Sequence, residues 1–303
     1  MSGNALAALM ILLVAAPAVS GIAVKTKAFL AGRRGAPVLQ LYYDLWKLLR
    51  KGAVYSATTS RLFRAGPVVV LVSLVAAALF LPLDGRGAPA EFAGDVLAFM
   101  GLLALGRFAV VLAGLDTGSS FEGMGASREV TLASFAEPAL FLCFIALALA
   151  TGGRTIGGML GAPLIMAWRE SGAALILVGI ALFVLLLAEN SRVPFDDPAT
   201  HLELTMIHEV IVLDHSGPDL ALILYGGALK LALFATLVAG VLVPRAGLGD
   251  AAALAVLLVG LAAVAVLVGI VESVTARLRL TRVRQLIVGA GALALFAIAL
   301  LLY

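Results

Sequence analysis

The sequence predicts an all-α, polytopic integral membrane protein of eight transmembrane helices with cytoplasmic amphipathic helices, and three observations carry that prediction. Of 303 residues, 62% are hydrophobic and 13% charged, about half the charged share of a soluble domain. The mean hydropathy is +1.11. Apolar runs recur at the length of about 20 residues that a helix rising about 1.5 Å per residue needs to cross ~30 Å of hydrocarbon.

In chain order the runs fall at residues 4–24, 66–83, 95–115, 130–150, 171–188, 219–243, 251–271 and 284–302. The first ends in Ala15-Ala16-Pro17-Ala18-Val19-Ser20, which has the small residues of a signal-peptide cleavage site. The first basic residue, Lys25, follows the run instead of preceding it, so the run is expected to stay as a span. The fourth run holds the lone cysteine, Cys143. One thiol makes no intrachain disulfide and holds no iron-sulfur cluster, so it is expected to fill space between helices. No internal repeat divides the chain, and residues 1–303 are expected to form one membrane domain.

Charge orients the spans. Loops after odd-numbered spans hold fifteen Lys and Arg, nine of them between Lys25 and Arg64, with Arg128, Arg192, Arg277, Arg279, Arg282 and Arg284; loops after even spans hold four, Arg86, Arg154, Arg169 and Arg245. The positive-inside rule makes the first set cytoplasmic and places both termini on the periplasmic side of the cell membrane. The basic surface then reflects topology and anionic lipid, not nucleic acid.

Three cytoplasmic segments exceed what connection demands. In residues 25–65 the stretch from Val38 to Lys51 puts Asp44, Lys47 and Lys51 on one face and Leu41, Leu45, Leu48 and Leu49 on the other. This is the pattern of an in-plane amphipathic helix, with Trp46 at headgroup level. Residues 116–129 are rich in Gly and Ser and read as irregular backbone. Residues 189–218 carry Glu189, Asp196, Asp197, Glu203, Glu209 and Asp214 and all three histidines. There Asp197-Pro198 reads as a helix start and Ser216-Gly217-Pro218 as a stop, giving a helix over 198–214 with His201, Thr205 and His208 on one face.

Ionisable residues inside spans each cost on the order of 3 kcal/mol at the membrane centre and need a partner or a use. Arg107, Glu137 and Lys230 qualify. They either pair with one another to fix packing or line a hydrated proton or ion path. Pro138 beside Glu137 removes a backbone donor and frees the carbonyl of Ser134, so a kink with a carboxylate at it is expected. His201, His208 and His215 are too widely spaced for a compact metal site, and a polar docking face is the expected use. No phosphate loop, dinucleotide fingerprint, nucleophile elbow or zinc-protease motif is present, which argues against an autonomous enzyme.

The polar loops resemble a known family. Arg33-Arg34-Gly35-Ala36-Pro37, Gln40 and Asp44-Leu45-Trp46-Lys47-Leu48-Leu49 are similar to the first cytoplasmic loop of the complex I membrane-anchor family, whose mitochondrial member is called subunit 1. Glu189-Asn190-Ser191-Arg192-Val193-Pro194-Phe195-Asp196-Asp197-Pro198 is similar to its third. The runs Leu115 to Glu129 with Glu137-Pro138, and His201 to Gly217, resemble the hydrogenase branch, which includes subunit 4 of formate hydrogenlyase and its hydrogenase-4 counterpart.

The resemblance implies eight transmembrane helices and a non-catalytic subunit. Its partners would be a nickel-iron hydrogenase-like large subunit, a small iron-sulfur subunit and antiporter-like membrane subunits, with the metal centres on those partners and no cofactor on this chain. Carried over residue by residue, it places Arg34, Asp44, Arg128, Glu137, Glu189, Arg192, Asp196 and Glu203 at the junction with the soluble arm or on its proton path, and the polar loops add Arg33, Lys47, His201 and His208 to the expected docking surface. A proton path would draw on Arg107, Glu137, Glu189, Asp196, Asp197, Glu203, Glu209, Asp214 and Lys230. Ala199, Thr200 and His201 stand where complex I has an acidic run, and Lys230 stands near a family glutamate, so the hydrogenase branch is favoured over quinone reduction. A quinone-site subunit is the second reading. A secondary transporter, the third, should show repeated broken helices, and none is found.

Overall fold

The computed structural model describes residues 3–85, 87–196 and 206–303, and among them there is no strand. The helices are α1 (Gly3–Leu30), α2 (Gln40–Leu49), α3 (Arg61–Ala78), α4 (Asp95–Asp116), α5 (Ser120–Thr151), α6 (Ile156–Met159), α7 (Pro163–Glu189), α8 (His208–Ile211), α9 (Gly217–Leu242), α10 (Asp250–Val274) and α11 (Leu280–Leu302). Eight of them, all but α2, α6 and α8, are long and apolar enough to cross a membrane.

The centre of the bundle is α9, in which every residue from 231 to 241 is buried. Around it stand α1, α3, α7 and α10, while α11 packs outside against α5 and α7. Close approach uses small residues, as polar-poor helix interfaces require. A Cβ on Gly66 would come within 2.9 Å of Ala113, and one on Gly269 within 2.6 Å of the Ala23 carbonyl. Tyr225 on α9 donates a 2.9 Å hydrogen bond to the Leu13 carbonyl, and Tyr42 on α2 donates to that of Val14. Both tie their helices to the middle of α1.

At the end away from the basic loops, the buried Asp95 carboxylate accepts the Ile156 N–H at 3.0 and 3.2 Å and so caps α6. Arg245 donates to the Pro82 carbonyl at 3.0 Å, closing the loop after α9 onto the loop after α3. Burial pushes its guanidinium down to about 10, with Asp84 opposing the shift.

Several local expectations are corrected. Residues 116–129 are mostly helix, since only 117–119 separate α4 from α5. Their glycines serve close packing: a Cβ on Gly125 would lie 2.2 Å from Val210, and Gly118 alone in this stretch has a positive φ, at 71°. Of the helix expected over 198–214, residues 197–205 lie outside the described residues, and within 206–214 only α8 is helical, followed by a turn. Ser216-Gly217-Pro218 begins α9 instead of ending a helix, with Pro218 in the first turn, where a missing N–H costs nothing. On α2 the bundle-facing residues include Tyr42, while Leu49 is 54% exposed with Tyr43 and Trp46. The fifth span starts at Pro163, not 171, because Ser171, at φ −138° and ψ 39°, only breaks the regularity of α7. Helix α5 continues through Pro138.

Candidate functional site

Four helices bring five ionisable side chains together. Arg107 comes from α4, Glu129 and Glu137 from α5, Glu189 from the last turn of α7 and Lys230 from α9. The Arg107 guanidinium forks onto three carboxylates. Its Nη2 donates to both Glu189 oxygens at 2.7 and 2.6 Å, its Nε lies 3.6 Å from Glu129, and its Nη1 donates to Glu137. Lys230 Nζ lies 2.8 Å from the Glu189 carboxylate. The side chains of Arg107 and Glu189 are 8% and 6% exposed, whereas Glu137 is 44% exposed.

The three intramembrane residues singled out from sequence therefore meet, with Glu189 as the bridge between Arg107 and Lys230. Such a cluster keeps buried charges tolerable because each is paired and hydrogen-bonded. With all groups ionised it carries three negative and two positive charges.

A second set lies beyond Glu189. Arg192 reaches Glu272 on α10 at 3.4 Å and donates to Ser20 on α1 at 3.0 Å, while Lys27 lies 3.6 Å from Glu272. Asp196 lies 3.1 Å from Arg277 and accepts the backbone N–H groups of Ile207 and His208 at 2.9 and 3.2 Å, which fixes the start of α8. Between the two sets is a cavity of about 400 Å³. Arg107, Glu129, Glu189, Arg192, Asp196, His208, Glu209, Lys230 and Glu272 line its polar side, and Val70, Leu74, Leu103 and Val110 lie on its apolar wall. Burial pushes the His208 imidazole below its ordinary value, with Glu129 opposing. It faces the cavity as a neutral ring near pH 7.

Other expected residues lie apart. The Asp214 side chain is exposed, and its N–H donates to Glu122 at 3.2 Å. Arg33, Arg34 and Lys47 are exposed on the surface, and Asp44 accepts from Gln40 at 3.0 Å. Arg128 turns inward and donates to the Met206 carbonyl at 2.9 Å, joining α5 to the loop before α8. Asp197, His201 and Glu203 lie outside the described residues. Glu129, Glu272 and Lys27 were not expected at the site, because they sit at span ends, where a charge costs little. Of the three, Glu129 alone carried a signal of position, two turns before Glu137 on the same helix.

A bundle of eight helices long enough to cross a membrane, with an ion cluster at the inner end of a cavity beneath polar loops, defines a polytopic membrane protein with a buried polar centre. The chain matches the NADH dehydrogenase family over residues 4–303 and belongs to it, as a protein of the same type as complex I subunit 1. Hydrogenase-4 component C of Escherichia coli (strain K12) is 37% identical over 243 residues, covering 79% of this chain and 75% of that protein. Formate hydrogenlyase subunit 4 of the same organism is 32% identical over 279 residues, 89% of each. NADH-ubiquinone oxidoreductase chain 1 of Petunia hybrida is 29% identical over 189 residues, 59% of this chain and 56% of that one. A chain of the archaeal membrane-bound sulfane sulfur reductase shares the fold, with a TM-score of 0.80 at 21% identity over 97% of this chain and 98% of that one.

Proposed function

We propose that this chain anchors the soluble redox arm of a membrane-bound nickel-iron hydrogenase complex of formate hydrogenlyase type, joins it to antiporter-like membrane subunits, and supplies part of a proton path. The observation that carries the reading is Glu189, a buried carboxylate held between Arg107 and Lys230 at the junction of cavity and bundle. Carboxylates continue from it on both sides: Glu129 and Asp196 along the cavity, and Glu137 toward the membrane face of α5. Exposed Arg33, Arg34 and Lys47 suit the docking of a soluble subunit. The nickel-iron centre and the iron-sulfur clusters would lie on the large and small partner subunits.

Glu137→Gln tests the path. Gln keeps the shape and hydrogen-bonding capacity of the side chain but cannot titrate. Arg107 retains Glu189 and Glu129, so the change strands no cation and assembly should hold. Normal abundance with reduced coupled hydrogen evolution, restored by an uncoupler, supports the relay. Wild-type coupled activity overturns it, and loss of abundance returns Glu137 to a packing role.

The orientation is part of the proposal, with both termini periplasmic in the cell membrane. In intact cells, a membrane-impermeant maleimide should label Phe92→Cys and spare Leu213→Cys, positions 49% and 51% exposed on opposite sides of the bundle. The reverse pattern overturns it.

The cavity favours one second reading, a quinone-site subunit of a complex I-like dehydrogenase, because 400 Å³ with an apolar wall and polar inner end is room for a small ring. Hydrogen evolution by the purified complex without any quinone-dependent activity decides against it.

A further inference from the structure

Glu137 presents a problem that the chain by itself does not solve. It lies about 12 Å along α5 from Glu129, toward the membrane interior. Only its Oε1 meets a donor among the described residues, from Arg107. Its side chain is 44% exposed, and the exposure is lateral: Glu137 and Arg107 line a furrow of about 570 Å³ between α4 and α5, whose walls alternate the small Gly101, Ala104, Ala133 and Ser134 with larger apolar side chains. In hydrocarbon a half-exposed carboxylate is expensive unless a donor covers it. Among the described residues the cluster behind it sets no second donor against Glu137, its two cations being shared by three carboxylates.

We propose that this furrow seats a transmembrane helix of a neighbouring membrane subunit, which sets a hydrogen-bond donor against the free oxygen of Glu137. The inference rests on the membrane-subunit reading of the chain but not on proton transfer. The small residues among the walls let a partner backbone approach closely, and the larger apolar ones give its side chains contact. An acyl chain fills the same space without satisfying the carboxylate, and a headgroup would have to sink well below the interface to reach it. A second copy seated on the same face by a two-fold axis sets Glu137 against Glu137, like charge against like. A donor-bearing helix of another polypeptide meets both the shape and the charge.

The test uses the intact complex in native membranes. Photoreactive p-benzoylphenylalanine is placed at Phe108 and Val130, which line the furrow and are 59% and 52% exposed, and as a control at Val259 on α10, 69% exposed. The first two positions should give adducts that map to a transmembrane helix of another subunit of the same purified complex, and the control should not. Adducts with lipid alone, or between two copies of this chain, overturn the proposal.

Glu137→Leu adds a readout for the donor. It should lower co-purification of that subunit several-fold, whereas Glu137→Gln, which still accepts a hydrogen bond, retains it. Equal retention by both removes the donor from the proposal. Wild-type coupling in Glu137→Gln sinks the relay and leaves the crosslinks unaffected, so the two readings fail separately.

Discussion

Charge removal at Glu189 tests the buried cluster most directly. The carboxylate receives two hydrogen bonds from Arg107, at 2.7 and 2.6 Å, and a third contact from Lys230, at 2.8 Å, with its side chain 6% exposed. In Glu189→Gln, Arg107 keeps Glu129 and Glu137, but Lys230 loses its only ion-pair partner among the described residues. Stranding a buried cation costs about 3–5 kcal/mol. At about 2–4 °C per kcal/mol for a chain of this size, the thermal midpoint of the purified complex should fall by roughly 10 °C. Lys230→Met leaves Glu189 on Arg107 and removes one charge-assisted bond, a loss of about 2 kcal/mol. The double variant has no stranded ammonium, so its loss should be about 1–3 kcal/mol smaller than the sum of the two singles. Heating in detergent followed by size exclusion reads all three. A Glu189→Gln complex that melts with the wild type, or a double variant whose losses simply add, refutes the reasoning.

Two further outcomes follow from the polar loops. His215 is 4% exposed, stacks on Phe63 with ring centroids 4.0 Å apart, and has no hydrogen-bond partner for either ring nitrogen among the described residues. Burial pushes its imidazole below the ordinary value, with Asp219 opposing, so the folded state binds the proton less readily than the unfolded chain. The stability this represents is present above about pH 6.5 and is lost as pH falls through the folded-state value. His215→Phe keeps the stack, and its thermal midpoint should drop less than the wild type's between about pH 7.5 and 5.5; an equal drop assigns the acid lability elsewhere. Gly125→Ala puts a methyl group 2.2 Å from Val210 Cγ1 and 2.9 Å from the Ile207 carbonyl. This overpacking should cost about 1–3 kcal/mol and speed proteolysis around α8. Gly123→Ala, whose nearest neighbour is 4.0 Å away, should not.

The spans were legible because a hydrocarbon solvent imposes one length and one composition on every crossing helix. Their ends were not, because tertiary contacts decide them. Ser120 to Glu129 looked irregular from its glycines, yet it is helical because Gly125 faces α8 and spares a clash there. Ser216-Gly217-Pro218 gives the same local signal for a start as for a stop, and the tie from the Val54 N–H to Ser216 at 2.9 Å is 162 residues away in sequence. At the site, Arg107, Glu137 and Lys230 were visible as charges inside apolar runs, but not which carboxylate bridged them. Glu189 closes a span, where a charge is unremarkable, and only the packing of α7 against α5 and α9 brings it to Arg107 and Lys230. The family resemblance of its loop marked Glu189, and composition did not.

The turn that leaves α7 is the mechanical centre of the proposed coupling. Glu189 holds α4 and α9 through Arg107 and Lys230; Arg192 holds α1 and α10 through Ser20 and Glu272; Asp196 holds Arg277 and the start of α8. Eight residues of chain thus make polar contacts to five other helices and to the segment after α10. Apolar side chains could join the same elements, and replacing a buried ion pair by well-packed apolar residues is often neutral or stabilising. Apolar contacts can slide, however, whereas a buried ion pair is either made or broken, and breaking it costs several kcal/mol. A displacement of the loop large enough to free Asp196 or Arg192 must therefore exchange partners at the cavity wall. Because Glu189 lies on the same turn, that exchange alters the field on Arg107 and, through it, on Glu137 at the membrane face. Loop and bundle are then linked by discrete charge rearrangement, which is what moving a proton from one side of the turn to the other requires.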